Sequence, residues 1–336
     1  VEVILGTHHT AFPMDEGSRV GEARRHAAEL AEACGMDETQ AGRLALVVTE
    51  LATNLVRHAQ QGRLLLAGRP SLGEVEVVAI DQGPGIPDMA RSMGDGYSTG
   101  STPGTGLGAI RRLAHEFDMH STVPEGTVIV ARVRAASRRA APIGFEAAAI
   151  SLPAPGEQVC GDGWAWACDG QQAAIVVADG LGHGPDAAEA ARAALESFAA
   201  DPMRGPRERL QDTHARLRST RGAAVMMLNA DAQAGTVRSA GAGNVMARLV
   251  SGVVDRTLLT QHGTAGVTIR TPEEASTSWP PHALLVVYTD GIEGRWRTDA
   301  LMPVLGRDPT LAAALVMRDH CRGRDDATVA VLRRKD

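Results

Sequence analysis

The chain has 336 residues, 44% of them apolar and 22% charged, with a formal net charge of −6. That length fits two domains of ordinary size, each with enough apolar material for a core. Cations are not clustered, which argues against nucleic acid as a partner; no apolar run approaches the roughly 20 residues that span a bilayer, and no basic-then-apolar leader opens the chain, so a cytoplasmic protein with no membrane partner is expected.

Residues 19–34 read as an amphipathic helix. Asp37 and Gln40 have the spacing of a capping box and predict the start of a second helix over 38–60, with Leu44, Val47, Val48, Leu51 and Leu55 on its apolar stripe. Strands are predicted at 63–67 and 74–80, then a Gly-rich stretch over 88–108, a helix at 107–115 and a strand at 127–134. Residues 135–143 (AASRRAAPI) have no apolar period and predict a linker. Beyond it short β-rich runs dominate, at 164–168, 173–178, 223–228, 236–239, 245–250, 284–288 and 328–332. Helices are predicted at 185–200, 207–219 and 311–321, with Pro185 suited to a first helical turn. The expected fold class is therefore α+β, with a first domain over 1–136, a linker over 137–144 and a second domain over 145–336.

Cys34, Cys160, Cys168 and Cys321 form no metal-ligand spacing and read as free thiols. Lys335 is the only lysine, so a nucleotide bound here would have no P-loop lysine on its phosphates.

Two constellations carry chemistry. In the first, Glu50 and Asn54 lie one helical turn apart on one face. An amide oxygen suits Mg2+, and a carboxylate beside it can accept a hydroxyl proton. Taken alone, the pair is also what a solvated polar stripe looks like. Asp81 ends an apolar strand and can accept from an adenine amino group, while Gly83 and Gly85 let the backbone pass close beneath a base. An ordinary Asp/Gly turn has the same composition. Gly104, Gly106 and Gly108 precede and open the next helix, where backbone amides can face phosphate.

Their order makes the resemblance specific. The strings at 49–59 (TELATNLVRHA), 81–86 (DQGPGI) and 98–108 (STGSTPGTGLG), with Gly126-Thr127 before the last strand, resemble the GHKL (Bergerat) ATPase fold, an α/β sandwich, and its short anti-sigma-factor and switch serine kinases. The resemblance implies Glu50 as catalytic base, Asn54 as Mg2+ ligand and Asp81 as adenine contact. It implies an ATP site completed by Gly83, Gly85, Gly104, Thr105, Gly106, Leu107, Gly108 and Thr127.

The second constellation is acidic. Asp179 and Asp290 each end an apolar strand and precede a glycine, Asp325 precedes the last strand, and Asp162 lies before another. Carboxylates at buried strand ends are costly unless compensated, and several together point to a shared cation. All-oxygen ligation favours Mg2+ or Mn2+, and a pair of such ions can activate water for displacement at phosphorus. The strings at 160–162 (CGD), 177–184 (VADGLGHG), 288–291 (YTDG) and 324–328 (RDDAT) resemble the SpoIIE-type branch of the protein phosphatase 2C family, a β-sandwich flanked by helices. The resemblance implies two Mn2+ or Mg2+ ions, with Asp179 bridging, Asp162 and the Gly180 carbonyl on one ion, and Asp290 and Asp325 on the other. Ala165 stands where the family often has a second acid, which leaves a third metal without its ligand. His183 follows the bridging turn, either assisting a leaving group or stabilising the turn.

Kinases and phosphatases of these kinds act on STAS-domain antagonist proteins. The pairing implies a bifunctional serine/threonine kinase and metal-dependent phosphatase for such a regulator in partner switching, linked to a sigma factor or another downstream regulator. The other reading is a phosphatase whose N-terminal domain is an ATP-gated binding module.

Overall fold

The computed structural model describes residues 1–93, 106–136 and 144–335. The chain divides into two compact units, His9–Ala140 and a second that combines Val1–His8 with Ala141–Asp336.

The His9–Ala140 unit is a five-stranded antiparallel sheet with helices on one face. The strand order is Thr10–Pro13, Arg63–Arg69, Glu74–Ile80, Gly126–Arg134, Glu116–Thr122. Glu74–Ile80 and Gly126–Arg134 are buried along their whole length, as central strands are. Helix Glu38–His58 begins at the capping box: Asp37 and Gln40 exchange side chain–backbone bonds of 2.9 Å. Leu44, Val47, Val48, Leu51, Ala52 and Leu55 form its buried stripe. With Ser18–Ala33 and Leu107–Leu113 it covers Leu64, Leu66, Val75, Val77, Ala79, Ile129, Ala131 and Val133.

Strand alternation turns the intervening residues to the opposite face. There Glu74 and Glu76, both buried, meet arginines from neighbouring strands. Arg69 reaches Glu76 at 2.7 Å and Glu74 at 3.0 Å, Arg132 reaches Glu76 at 2.8 Å, and Arg134 reaches Glu74 at 2.7 Å. Buried His9 adds a 3.2 Å contact to Glu76. Burial alone would raise the Glu76 carboxyl, but Arg69 and Arg132 hold it well below the usual carboxylate range.

The second unit is built on two antiparallel sheets. The six-stranded sheet runs Glu2–Leu5, Asp162–Asp169, Gln172–Gly180, Ala223–Asp231, Thr236–Ala242, Ala275–Ser278. Its Ala165, Ala174, Val176, Ala178, Val225 and Met227 pack under helices Pro185–Ala200 and Pro206–Arg216. The alternate residues Trp164, Ile175, Val177, Met226 and Leu228 are buried as well, so both faces of the sheet are covered. The five-stranded sheet runs Asp255–Leu258, Met246–Val250, Leu284–Tyr288, Ala327–Arg334, Phe145–Leu152, and helix Pro309–His320 packs on its last two strands.

The first eight residues do not belong with the domain that the sequence assigns to 1–136. Glu2–Leu5 pairs antiparallel with Asp162–Asp169, placing Ile4 opposite Trp166. The backbone continues to Gly6, whose amide donates to the Trp164 carbonyl at 2.9 Å. A Cβ at Gly6 would lie 2.1 Å from the Trp164 ring, so only glycine passes there. Most of the predicted linker, residues 137–143, lies outside the described residues. Among the described residues no helix is long and apolar enough to cross a membrane.

Candidate functional site

In the His9–Ala140 unit Asp81, Gly83, Gly85 and Thr127 gather at one end of the sheet. Glu50 and Asn54 are half-buried on the flank of helix Glu38–His58, beside its buried stripe. Asp81 follows strand Glu74–Ile80; its amide donates to the Thr127 carbonyl at 3.0 Å, and its Oδ1 accepts from the Gly83 amide at 2.7 Å. The end of the long helix is tied to the same turn, because the Gln82 amide donates to the Gln60 carbonyl at 2.9 Å.

Two glycines make the crossing possible. Gly85 has φ +74 and a Cβ there would lie 2.5 Å from the Thr122 carbonyl oxygen; Gly126 has φ +97 and would put a Cβ 2.1 Å from the Asp81 carbonyl oxygen. The Thr127 hydroxyl is buried and within 2.9 Å of Ser121 Oγ, which accepts from the Ile86 amide at 2.8 Å. Gly106 caps helix Leu107–Leu113 with no side chain on the first-turn amides, while Leu107 and Gly108 are buried against the core. Gly104 and Thr105 lie outside the described residues. Asp81, Gly83, Gly85 and Thr127 are thus brought together by backbone contacts between 81–86 and 121–127.

In the second unit the carboxylates lie at strand ends that topology makes neighbours. Asp162 and Asp179 stand directly opposite one another on paired strands. Asp290 follows strand Leu284–Tyr288 and accepts from Asn244 Nδ2 at 2.6 Å. Asp325 is exposed, and its Oδ1 accepts from the Asp326 amide at 2.9 Å. The glycines after Asp179 and Asp290 allow close packing: a Cβ at Gly180 would lie 2.1 Å from the Ala187 carbonyl oxygen, and one at Gly291 would lie 2.1 Å from that of Asp326.

The electrostatics of this group are unfavourable to itself. Burial pushes Asp162 up to about 8 against opposing hydrogen bonds from Thr289 and Thr328, with Asp326 and Asp290 raising it further. Burial pushes Asp179 up to about 9, and the charges acting on it are those of Asp162, Asp290, Asp325 and Asp326. Asp290 is raised by burial and by Asp325, against Arg322 and Arg324. Carboxylates raised in this way are the ones a divalent cation would compensate.

The fit to such ions rests on one atom and on donor chemistry. Asp162 Oδ1 is buried and has no hydrogen-bond partner. The remaining donors are carboxylate and carbonyl oxygens, the set that suits Mg2+ or Mn2+. As they stand, no three His, Cys, Asp or Glu side chains among the described residues close around a point as ready-made ligands. Ala165 is fully buried under the helices, so the strand offers no further acid there. His183 is exposed, with Nδ1 2.7 Å from Glu157 Oε1.

Three neighbours of the carboxylates, and Glu157 beside His183, carry no role in the sequence reading. Asp326 is buried and its Oδ1 accepts from the Ala154 amide at 2.8 Å. Its position in Asp325-Asp326 was the available signal. Thr289 precedes Asp290 in the motif and bonds to Asp162. Asn244 and Glu157 act across long sequence separations and carry no local signature.

Comparison with known proteins follows the same division. Residues 12–133 match the histidine kinase-like ATPase domain, and residues 169–335 match stage II sporulation protein E (SpoIIE), a stretch that begins after Asp162. The serine/threonine-protein kinase RsbT of Bacillus subtilis (strain 168) is 37% identical over 112 residues, which are 32% of this chain and 84% of RsbT. A solved structure from the bacterial stressosome, a modular system adapted to control secondary messenger signalling, is 28% identical with a TM-score of 0.53 over 56% of this chain and 99% of that one. RsbX, solved in complex with magnesium, shares the fold at 18% identity and a TM-score of 0.51, over 58% of this chain and 98% of RsbX. The chain belongs to the RsbT family of histidine kinase-like ATPases and carries, after that domain, a SpoIIE-type, PP2C-like phosphatase domain.

Proposed function

We propose that the chain phosphorylates and dephosphorylates one small STAS-domain regulator on serine or threonine, in a partner-switching system. The observation that carries this reading is the coexistence in one chain of two sites. One is an Asp81-centred turn at the end of a sheet covered by the helix that carries Glu50 and Asn54; the other is a set of raised strand-end carboxylates with an orphaned oxygen on Asp162. The relationship to RsbT supports the first, and the SpoIIE match supports the second.

In the kinase direction, Asp81 would accept a hydrogen bond from the adenine amino group and Asn54 would hold the Mg2+ that accompanies ATP. Glu50 takes the hydroxyl proton of the regulator's serine or threonine as that oxygen bonds to the γ-phosphorus and the bond to the β–γ bridging oxygen breaks, leaving ADP. In the phosphatase direction, Asp162, Asp179, the Gly180 carbonyl, Asp290 and Asp325 would hold two Mn2+ or Mg2+ ions. Bound there, the ions supply charge neutralisation at phosphorus and a lowered pKa for water. A water oxygen bonds to phosphorus, and the serine or threonine oxygen leaves and takes up a proton.

The test uses a STAS protein, labelled ATP and Mg2+ or Mn2+. The Asp179→Asn chain should accumulate label on the partner, and the Glu50→Ala chain should remove label already there. A partner that never gains label refutes the kinase half. Partner control in cells that survives Glu50→Ala would make the N-terminal domain an ATP-gated binding module.

A further inference from the structure

The SpoIIE-like unit contains one buried hydroxyl that ties three of its motifs together. Thr289 is fully buried between the end of strand Leu284–Tyr288 and Asp290. Its Oγ1 accepts from the Thr328 amide at 2.9 Å and donates to Asp162 Oδ2 at 2.7 Å. The residues joined are 127 and 39 positions apart in sequence, so neither bond is local.

The direction of these bonds follows from valence. A hydroxyl has one proton and two lone pairs. The Thr328 N–H can only donate, so it occupies a lone pair of Thr289. The hydroxyl proton then has Asp162 Oδ2 as its acceptor, and a buried hydroxyl proton without an acceptor would be costly. One carboxylate oxygen of Asp162 is thereby fixed, and the other, Oδ1, is left buried and unpartnered. The Thr328 hydroxyl, which also bonds Asp162, extends the chain to Ser151 Oγ at 2.8 Å, bracing the same point from strand Phe145–Leu152.

We propose that Thr289 is a positioning residue, which holds Asp162 by Oδ2 so that Oδ1 is presented to a divalent cation. This assignment rests on the metal-dependent phosphatase reading of the carboxylates and adds to it the residue that orients one of them. Outer partners of this kind set the angle of a ligand and the rigidity of its site, and their loss typically weakens metal binding by roughly 10–100-fold.

The experiment is calorimetric titration of Mn2+ into the full chain without nucleotide, with phosphopeptide hydrolysis followed over the same metal range. Thr289→Val keeps the shape and removes the hydroxyl; it should weaken Mn2+ binding by roughly tenfold or more, and high Mn2+ should restore much of the hydrolysis rate. Thr289→Ser keeps the hydroxyl and should bind Mn2+ within about threefold of the parent, well inside the loss typical of a missing outer partner. Parent-like Mn2+ binding by Thr289→Val overturns the assignment. So does a Thr289→Ser chain that loses as much affinity as the Val variant, because the methyl packing would then be what matters. If Thr289→Val does not fold, Thr289→Ser decides alone, and a roughly tenfold loss there rejects the proposal. A parent chain that shows neither Mn2+ binding nor hydrolysis fails at the metal-site reading itself. A binding parent beside an unaffected Val variant fails only for Thr289.

Discussion

Two sets of buried acids stand in different relations to cations. On the sheet of the His9–Ala140 unit, Glu74 and Glu76 are each bonded to two arginines, and Glu76 is held well below the usual carboxylate range. In the SpoIIE-like unit, Asp162 is buried and Asp179 half-buried, yet the charges nearest them are other carboxylates, and both are pushed upward. The first set is internally balanced and needs nothing from outside. The second is opposed by few cations, Arg322 and Arg324 beside Asp290. Burial alone does not separate a structural acid from a functional one, whereas the sign of its neighbours does.

The comparison is broken most severely by removing an acid from the unbalanced set. Asp179→Asn should lower phosphopeptide hydrolysis by roughly a hundredfold or more, because the direct ligand proposed for it would matter at least as much as a supporting partner. It should leave the metal-free thermal midpoint unchanged or higher, since a carboxyl whose ionisation the fold opposes is gone. A large drop in that midpoint would mean that Asp179 is structural. All four tryptophans (Trp164, Trp166, Trp279 and Trp296) lie in the SpoIIE-like unit, so their fluorescence follows that unit alone.

Removing an acid from the balanced set should do the reverse. Glu76→Gln leaves buried Arg132 and half-buried Arg69 with reduced compensation and should destabilise the His9–Ala140 unit by about 3 kcal/mol. The loss would be visible as an early transition in far-UV circular dichroism but absent from tryptophan fluorescence. Phosphopeptide hydrolysis should be unaffected; a matching loss of hydrolysis would contradict the separation of the two sets.

Acid gives a milder version of the same contrast. The folded-state pKa of Glu76 lies below its unfolded value, so its contribution is complete above the ordinary carboxylate range and declines as pH falls through the folded value. The His9–Ala140 unit should therefore lose stability only in strongly acid solution, below about pH 4. Circular dichroism melts between neutrality and acid would check the sign, and a loss that begins at neutral pH would exclude Glu76 as its source. The smallest effect expected is that of Asp37→Ala, which removes the capping box and should cost about 1 kcal/mol in the same melts.

Much of the scaffold was readable from local pattern. The capping box at Asp37 and Gln40 located the long helix, which ends at His58 rather than 60. Helix Pro185–Ala200 and strands Glu74–Ile80 and Leu284–Tyr288 have their expected bounds, because each carries a periodic or continuous apolar pattern between turn residues. Strands Glu2–Leu5, Thr10–Pro13 and Glu116–Thr122 were not expected; two are very short and the third is mostly polar. Phe145–Leu152 (FEAAAISL) is rich in alanine, a residue that favours helix, and is a strand because Ala327–Arg334 pairs along its whole length. At the candidate sites the same limit applies. Aspartates ending apolar strands announce themselves, since few other positions join an acid to a buried run. Thr289, Asn244 and Glu157 are recognisable only through partners far away in sequence, and no periodicity encodes those.

The strand at the start of the chain has a practical consequence. Because Glu2–Leu5 is stitched into the sheet of the SpoIIE-like unit, residues 9–140 are threaded as an insertion within it. A single cut between 136 and 144 therefore does not yield two whole halves. One fragment would carry a stray strand with nothing to pair, and the other would expose the bare edge of Asp162–Asp169, an invitation to pair with another chain. Mixed together, the fragments should recombine through that strand. An expression boundary drawn at the linker would cut through a sheet.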